Sequence, residues 1–142
     1  MDYLLADSIE NISHFSKRQL ADKMCDAQKL QEGSGASPSE KRSWENSLYT
    51  FIKLLQMEGL GHLYIVAEYS LIGNDRIDAV LVGKSKYEGG KPLATIIELK
   101  QWSRLGDNNL SKKAFVKVEL HNEVYEYRLH PIQQTINYQR NI

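Results

Sequence analysis

Residues 76–83 have the sequence Arg-Ile-Asp-Ala-Val-Leu-Val-Gly, and residues 97–100 have the sequence Ile-Glu-Leu-Lys. The acids in these segments, Asp78 and Glu98, lie in short apolar runs that are typical of buried strands, where an unpaired charge is costly. Alternate residues of a strand share a face, so Glu98 and Lys100 are expected to point the same way. If the two strands are neighbours, Asp78 joins them on that face. The sequence therefore predicts two carboxylates and an ammonium group converging on one spot, where a divalent cation could be held.

The composition is that of a soluble globular chain. Its 142 residues suit one domain, with 42% hydrophobic and 25% charged residues. No apolar stretch approaches the ~18 residues that a transmembrane helix needs, and no basic region opens the chain. The single cysteine, Cys25, excludes an internal disulfide and fits a reducing compartment. We therefore expect a cytoplasmic protein with no membrane partner, and four scattered histidines make a structural zinc site unlikely.

The charge is unevenly distributed, although the net charge is zero. Residues 84–117 contain eight bases and three acids, an excess of +5 around the predicted carboxylate pair. A basic surface beside a metal site would favour a phosphodiester substrate, but a solvated loop and strand edge would give the same pattern. The bases are Lys84, Lys86, Lys91, Lys100, Arg104, Lys112, Lys113 and Lys117.

The first 36 residues are predicted to form a helical extension and linker. Ile9, Ile12 and Phe15 are spaced for one helical face, and a second helix is expected over residues 16–30. We expect both helices to be peripheral. Residues 33–37, Gly-Ser-Gly-Ala-Ser, have the composition of a flexible connector, so the main domain is predicted to be 37–142.

The main domain is predicted to open with a helix over residues 37–57. Ser37 and Glu40 form a capping-box pattern, and Pro38 suits the first helical position. An apolar stripe along this helix is typical of packing on a sheet. Glu45 lies at the edge of the stripe, where it is either a surface residue or a functional acid. The stripe consists of Trp44, Leu48, Phe51, Ile52 and Leu55.

Three strands and a hairpin are expected to follow. Apolar runs and turn residues predict strands over 63–71, 76–82 and 93–102, joined as antiparallel neighbours and covered by helices on both faces. Residues 114–129 alternate as a hairpin, and the segment from His130 to Arg140, with a proline near its start, opens like a helix. Gln134 and Tyr138 share a face of that helix. The predicted class is α/β, with an α+β mixed sheet.

The order of these parts resembles the PD-(D/E)XK nuclease superfamily. A helix with Glu45 precedes a strand with Asp78, the Glu98-Leu99-Lys100 segment, and a helix with Gln134 and Tyr138. This last pair is similar to the RecB/Cas4-like branch. The likeness extends to the nuclease-like N-terminal domain of Schlafen-like, helicase-fused bacterial and phage proteins. It rests on Ser39-Glu40, Ser43-Trp44, Glu68-Tyr69, Arg76-Ile77-Asp78, Ile97-Glu98-Leu99-Lys100-Gln101-Trp102-Ser103 and His130-Pro131 with Gln134.

The resemblance implies a role for each matched residue. Asp78, Glu98, the backbone carbonyl of Leu99 and, in some members, Glu45 would hold the metal, with Lys100 as the lysine that positions or activates water. Gln134 and Tyr138 would support that lysine and the nucleic-acid strand, which the basic residues Lys112 and Lys113 would also contact. Oxygen ligands without a histidine cluster favour Mg²⁺ or Mn²⁺ over zinc.

The implied fold is a restriction-endonuclease-like αβββ(ββ)α core, and the implied activity is Mg²⁺-dependent hydrolysis of DNA. DNA is favoured over RNA as the partner. In this superfamily another core strand follows the Gln/Tyr helix, so with an end at Ile142 we expect the final core strand to be missing. A helicase domain beyond the C-terminus would fit the resemblance. An open strand edge would favour a homodimer.

Two other interpretations remain open from the residues. Asp78, Glu98 and Lys100 could form a buried salt-bridge network in an inert domain. A nuclease-like fold could also act as a nucleic-acid-binding or protein-assembly module without cleaving. Glu68 either faces the same pocket or pairs with Arg76.

Overall fold

The computed structural model describes residues 2–85, 89–101, 104–105, 115–121, 124–129 and 131–140. The protein has a mixed α+β architecture, as the sequence predicted. It divides into two compact units, Met1–Leu99 and Lys100–Ile142. The N-terminal 36 residues therefore belong to the first unit. Within the described residues, no helix is both long enough and apolar enough to cross a membrane.

The first unit contains four strands, four α-helices and a π-helical segment. In chain order they are β1 (Leu5–Ser8), α1 (Ile9–Ser13), α2 (Lys17–Glu32), α3 (Pro38–Ser43), the π-helical segment Trp44–Leu48, α4 (Tyr49–Met57), β2 (Tyr64–Ser70), β3 (Arg76–Lys84) and β4 (Pro92–Ile97).

The N-terminal helices are part of the core, so the prediction that they are peripheral was wrong. A short strand that the sequence analysis missed, β1, pairs antiparallel with β2 through Leu5 and Ala67. Ile9 and Leu20 are both 0% exposed and belong to the same hydrophobic cluster as the sheet residue Ile65. The capping box of Ser16 begins α2 at the predicted place.

The helix predicted for residues 37–57 is present over 38–57, where α3, the π-helical segment and α4 follow one another. The Ser37 hydroxyl accepts from the Glu40 N–H at 3.2 Å, and the Glu40 carboxylate accepts from the Ser37 N–H at 2.7 Å. This is the capping box that the sequence predicted. The buried face also matches, since the helical residues Trp44, Leu48, Ile52 and Leu55 lie in the core.

The four strands form one antiparallel sheet in the order β1-β2-β3-β4, which confirms the predicted neighbours. Ala67, Ala79 and Ile97 lie side by side across β2, β3 and β4. We expected helices on both faces, yet Val82 on β3 and Tyr64 on β2, which pair across the outer face, are exposed. Within this unit, the helical core lies against one face.

The predicted strand over residues 93–102 is shorter than expected. β4 ends at Ile97, and residues 98–101 have no regular secondary structure. Glu98 and Lys100 therefore lie after the strand, and the alternation of a strand does not set their orientations. Trp102 lies outside the described residues.

Among the described residues of the second unit, three strands form an antiparallel sheet in the order β5-β6-β7, followed by a helix. The elements are β5 (Arg104–Leu105), β6 (Phe115–His121), β7 (Val124–Leu129) and α5 (Pro131–Arg140). β6 and β7 confirm the predicted hairpin. The last helix begins at the predicted proline, Pro131.

Candidate metal centre

Asp78 lies on β3 across from the segment that carries Glu98. The last residue pair of the β3–β4 ladder is Ala79 with Ile97. Asp78 and Glu98 are the residues that lie directly beyond this pair on the two chain segments. The two residues with the predicted metal-binding carboxylates thus lie at the same end of the strand pair.

A direct bond ties Asp78 to this segment. The backbone N–H of Leu99 donates to Oδ2 of Asp78 at 2.6 Å. Bonds to an ionised carboxylate are shorter and stronger than neutral ones, so this contact fixes the carboxylate beside the chain that follows Glu98. The Leu99 side chain packs on the hydrophobic core and anchors the segment from the other side.

The Glu98 carboxylate is partly shielded from water. Its side chain is only partly exposed, and its Oε2 atom is buried. One carboxylate oxygen of Glu98 is therefore out of contact with water. Two carboxylates completed by water and substrate oxygens are a common donor set for Mg²⁺, so the chemistry of Asp78 and Glu98 fits this ion.

Glu45 does not complete a triad of acids. It lies partly exposed in the π-helical segment. Among the residues that the structure describes, no three or more His, Cys, Asp or Glu side chains are grouped to hold a metal ion. The protein donors that remain are the carboxylates of Asp78 and Glu98 and the backbone carbonyl of Leu99.

The second unit contains a separate polar chain. The Lys100 ammonium donates to Oε1 of Gln134 at 2.8 Å, and the Gln134 amide donates to the hydroxyl of Tyr138. Gln134 and Tyr138 lie one turn apart on α5, and Tyr138 is buried. The resemblance implied that this pair supports the lysine, and Gln134 contacts it directly. Lys112 and Lys113 lie outside the described residues.

A cluster of acids around Arg76, at the start of β3, was only partly predicted from the sequence. Arg76 forms ion pairs with Glu32, Glu40 and Glu68, and its contact with Glu68 is 3.6 Å. The second oxygen of Glu68 accepts from the indole N–H of Trp44 at 3.0 Å. Of the two interpretations of Glu68, the structure shows the pairing with Arg76. Only that pairing had a signal in the sequence, because Glu32 and Glu40 are far from Arg76 along the chain.

Burial governs the titration of this cluster. It raises the pKa of Glu68, although the Trp44 hydrogen bond and the Arg76 charge act in the opposite direction. Burial also opposes ionisation of Glu40, but there the hydrogen bonds from Ser37 and Gln28, with the Arg76 charge, prevail and lower the pKa. Two carboxylates that pair with the same guanidinium group therefore have pKa values shifted in opposite directions.

Comparison with protein-family models, with curated proteins and with solved structures finds no match for this chain.

Proposed function

We propose that this chain is a metal-dependent nuclease that hydrolyses the phosphodiester bonds of DNA with Mg²⁺ or Mn²⁺. The observation that carries the proposal is the 2.6 Å bond from the Leu99 N–H to Asp78. It links Asp78 to the residue that follows Glu98, at one end of a strand pair, and so brings together two segments that are distant in sequence and that each carry an acid.

The residues divide the work in the following way. A bound cation supplies Lewis acidity, which polarises the phosphate and acidifies a water molecule. Asp78, Glu98 and the Leu99 carbonyl would hold the ion. By the resemblance, Lys100 would hold or move a proton of the attacking water at Nζ, and Gln134 would orient that ammonium group. Tyr138 in turn holds the Gln134 amide.

The wider setting belongs to the same proposal. The resemblance to helicase-fused nucleases supports a role as the nuclease module of a larger DNA-processing protein, in defence or repair. A single cysteine and no disulfide support a cytoplasmic location. The proposal also includes a homodimer formed through an open strand edge.

A second candidate function has one observation in its favour. Glu45 does not join Asp78 and Glu98, so the described acids number two at this point. A chain of this kind could bind DNA or assemble with a protein without cleaving. It would show salt-dependent DNA binding and no metal-dependent cutting.

Cleavage of supercoiled plasmid DNA distinguishes these functions. The wild-type chain with Mg²⁺ is expected to nick or linearise the plasmid, and EDTA to stop it. Asp78→Asn keeps an oxygen for the Leu99 N–H but removes the charge, and we expect at least a roughly 100-fold loss of rate for this change and for Lys100→Met. Glu58→Gln alters an exposed glutamate and serves as the control. Equal activity in Asp78→Asn and wild type would exclude the nuclease assignment.

A further inference from the structure

Glu68 has a backbone conformation that is rare for its residue type. Its φ angle is +54°, in the left-handed region, although it lies inside β2. Left-handed geometry is unfavourable for a residue with a Cβ, so it persists only where the surroundings enforce it. The partners are visible, since Trp44 and Arg76 hold the two oxygens of the Glu68 carboxylate.

This unusual residue lies directly across from Asp78. The β2–β3 ladder pairs Ala67 with Ala79 and Tyr69 with Ile77, so the position opposite Glu68 is Asp78. The ladder records no pair between these two residues, while the register on either side is the same. The regular pairing is therefore interrupted at Asp78 without any inserted residue.

The interruption also changes which side chains face the helices. Ala67 and Ala79 belong to the core that the helices cover. Strict alternation would direct Glu68 and Arg76 to the opposite face. Instead, Glu68 bonds to Trp44 in the helical layer, and Arg76 pairs with acids of α2 and α3. The left-handed turn at Glu68 provides this break in alternation on β2.

We propose that Glu68 is a positioning residue, whose left-handed backbone sets the local geometry of β3 that directs the Asp78 carboxylate to the Leu99 N–H. Its bonds to Trp44 and Arg76 keep a residue other than glycine in that conformation. The consequence for catalysis rests on the proposed function, because it concerns the same carboxylate. The geometric statement can be tested without any activity.

Three variants separate the backbone of Glu68 from its carboxylate. Asparagine is too short to keep both contacts but tolerates positive φ. Alanine also loses the carboxylate and tolerates positive φ less well. Valine loses the carboxylate and, as a β-branched residue, is least compatible with this conformation.

Hydrogen exchange at the Leu99 amide, measured by NMR, reports the bond to Asp78 directly. Protection in Glu68→Asn should stay within about threefold of wild type, whereas Glu68→Val should lose about tenfold or more. Amides of the buried helical residue Ile52 serve as the reference, and their protection should not change between these variants. A general loss of stability would lower both sites together.

Other outcomes would overturn the proposal. Full Leu99 protection in Glu68→Val would show that the backbone at position 68 does not direct Asp78. An equal loss in Glu68→Asn and Glu68→Val would assign the effect to the carboxylate instead. If the valine variant does not fold, Glu68→Ala decides, with an intermediate loss expected and wild-type protection contradicting the proposal.

A second readout keeps this inference distinct from the nuclease proposal. Mn²⁺ added alone should bind more weakly to Glu68→Val than to Glu68→Asn. Should Mn²⁺ not bind the wild-type chain at all, the metal site would fail while the exchange result would still decide the role of Glu68.

Discussion

The 2.6 Å bond between the Leu99 N–H and Asp78 is the contact on which the proposed metal centre depends. Asp78 and Glu98 could be found from the sequence because a carboxylate inside an apolar run needs a reason to be there. The contact between Asp78 and the Leu99 N–H could not, because it depends on where β4 stops. The left-handed backbone of Glu68 has no signal in the sequence either, since glutamate rarely adopts it.

The raised pKa of Glu68 predicts a pH-dependent stability. Because the folded pKa lies above the unfolded value of about 4.3, the stabilising effect of protonation is complete below that value and is lost as the pH rises through the folded pKa. Glu68→Gln removes the contribution of Glu68 to the pH dependence of stability, while the charged groups of Arg76 and Glu40 still face position 68. We expect the variant to gain stability relative to wild type as the pH rises above about 4.3 and through the folded pKa of Glu68, measured by urea unfolding. A difference that does not change with pH would contradict the assignment.

Gln134 is expected to matter through Lys100. Gln134→Leu removes the acceptor for the lysine ammonium and the donor to Tyr138. We expect a roughly 10- to 100-fold lower kcat for plasmid cleavage, as for other residues that orient a catalytic group. Gln101→Leu, at an exposed glutamine, is the matched control. If the two variants cleave equally fast, Gln134 does not support the lysine.

At the scale of elements, local chemistry was a better guide than apolar periodicity. The capping box at Ser37 correctly placed the start of a helix. The apolar run beyond residue 93 predicted a longer β4 than the structure has. Leu99 is apolar because its side chain packs on the core. The Leu99 N–H bonds to the Asp78 side chain and does not continue the strand pairing. Apolar periodicity in the sequence gives no sign of such a bond.

The capping box predicts a measurable contribution to stability. Ser37→Ala removes the hydroxyl that accepts from the Glu40 N–H, at an expected cost of about 1 kcal/mol in the free energy of unfolding. Chemical denaturation measures this cost. Ser39→Ala, two residues away and exposed, should change stability by less than about 0.5 kcal/mol. Equal effects of the two changes would show that the cap does not stabilise α3.

For the molecule as a whole, the fold class and the order of the main elements could be predicted from the sequence, but the packing partners could not. Amphipathic spacing indicated that the N-terminal helices bury a face. It did not indicate which surface covers that face, because periodicity contains no information about tertiary contacts. The missed strand β1 is only four residues long and gives too weak a pattern to be recognised.

The burial of the N-terminal helices can be tested with two leucines of the same helix. Leu20→Ala should lower the free energy of unfolding by about 2–5 kcal/mol, since Leu20 is 0% exposed in the core. Leu30→Ala changes a residue that is 89% exposed and should cost less than about 0.5 kcal/mol. Thermal unfolding of the two variants gives the comparison. A small effect of Leu20→Ala on the free energy of unfolding would show that these helices are peripheral.

Paramagnetic relaxation at the Leu99 amide, recorded by NMR during titration with Mn²⁺, tests the metal site most directly. If Asp78 and Glu98 share one cation, Mn²⁺ should broaden the Leu99 signal first in the wild-type chain, and Mg²⁺ should compete it away. The Asp78→Asn variant should need an Mn²⁺ concentration about tenfold higher or more to reach the same broadening. Broadening that is absent from Leu99, or equal in the variant, would contradict a metal centre at these two carboxylates.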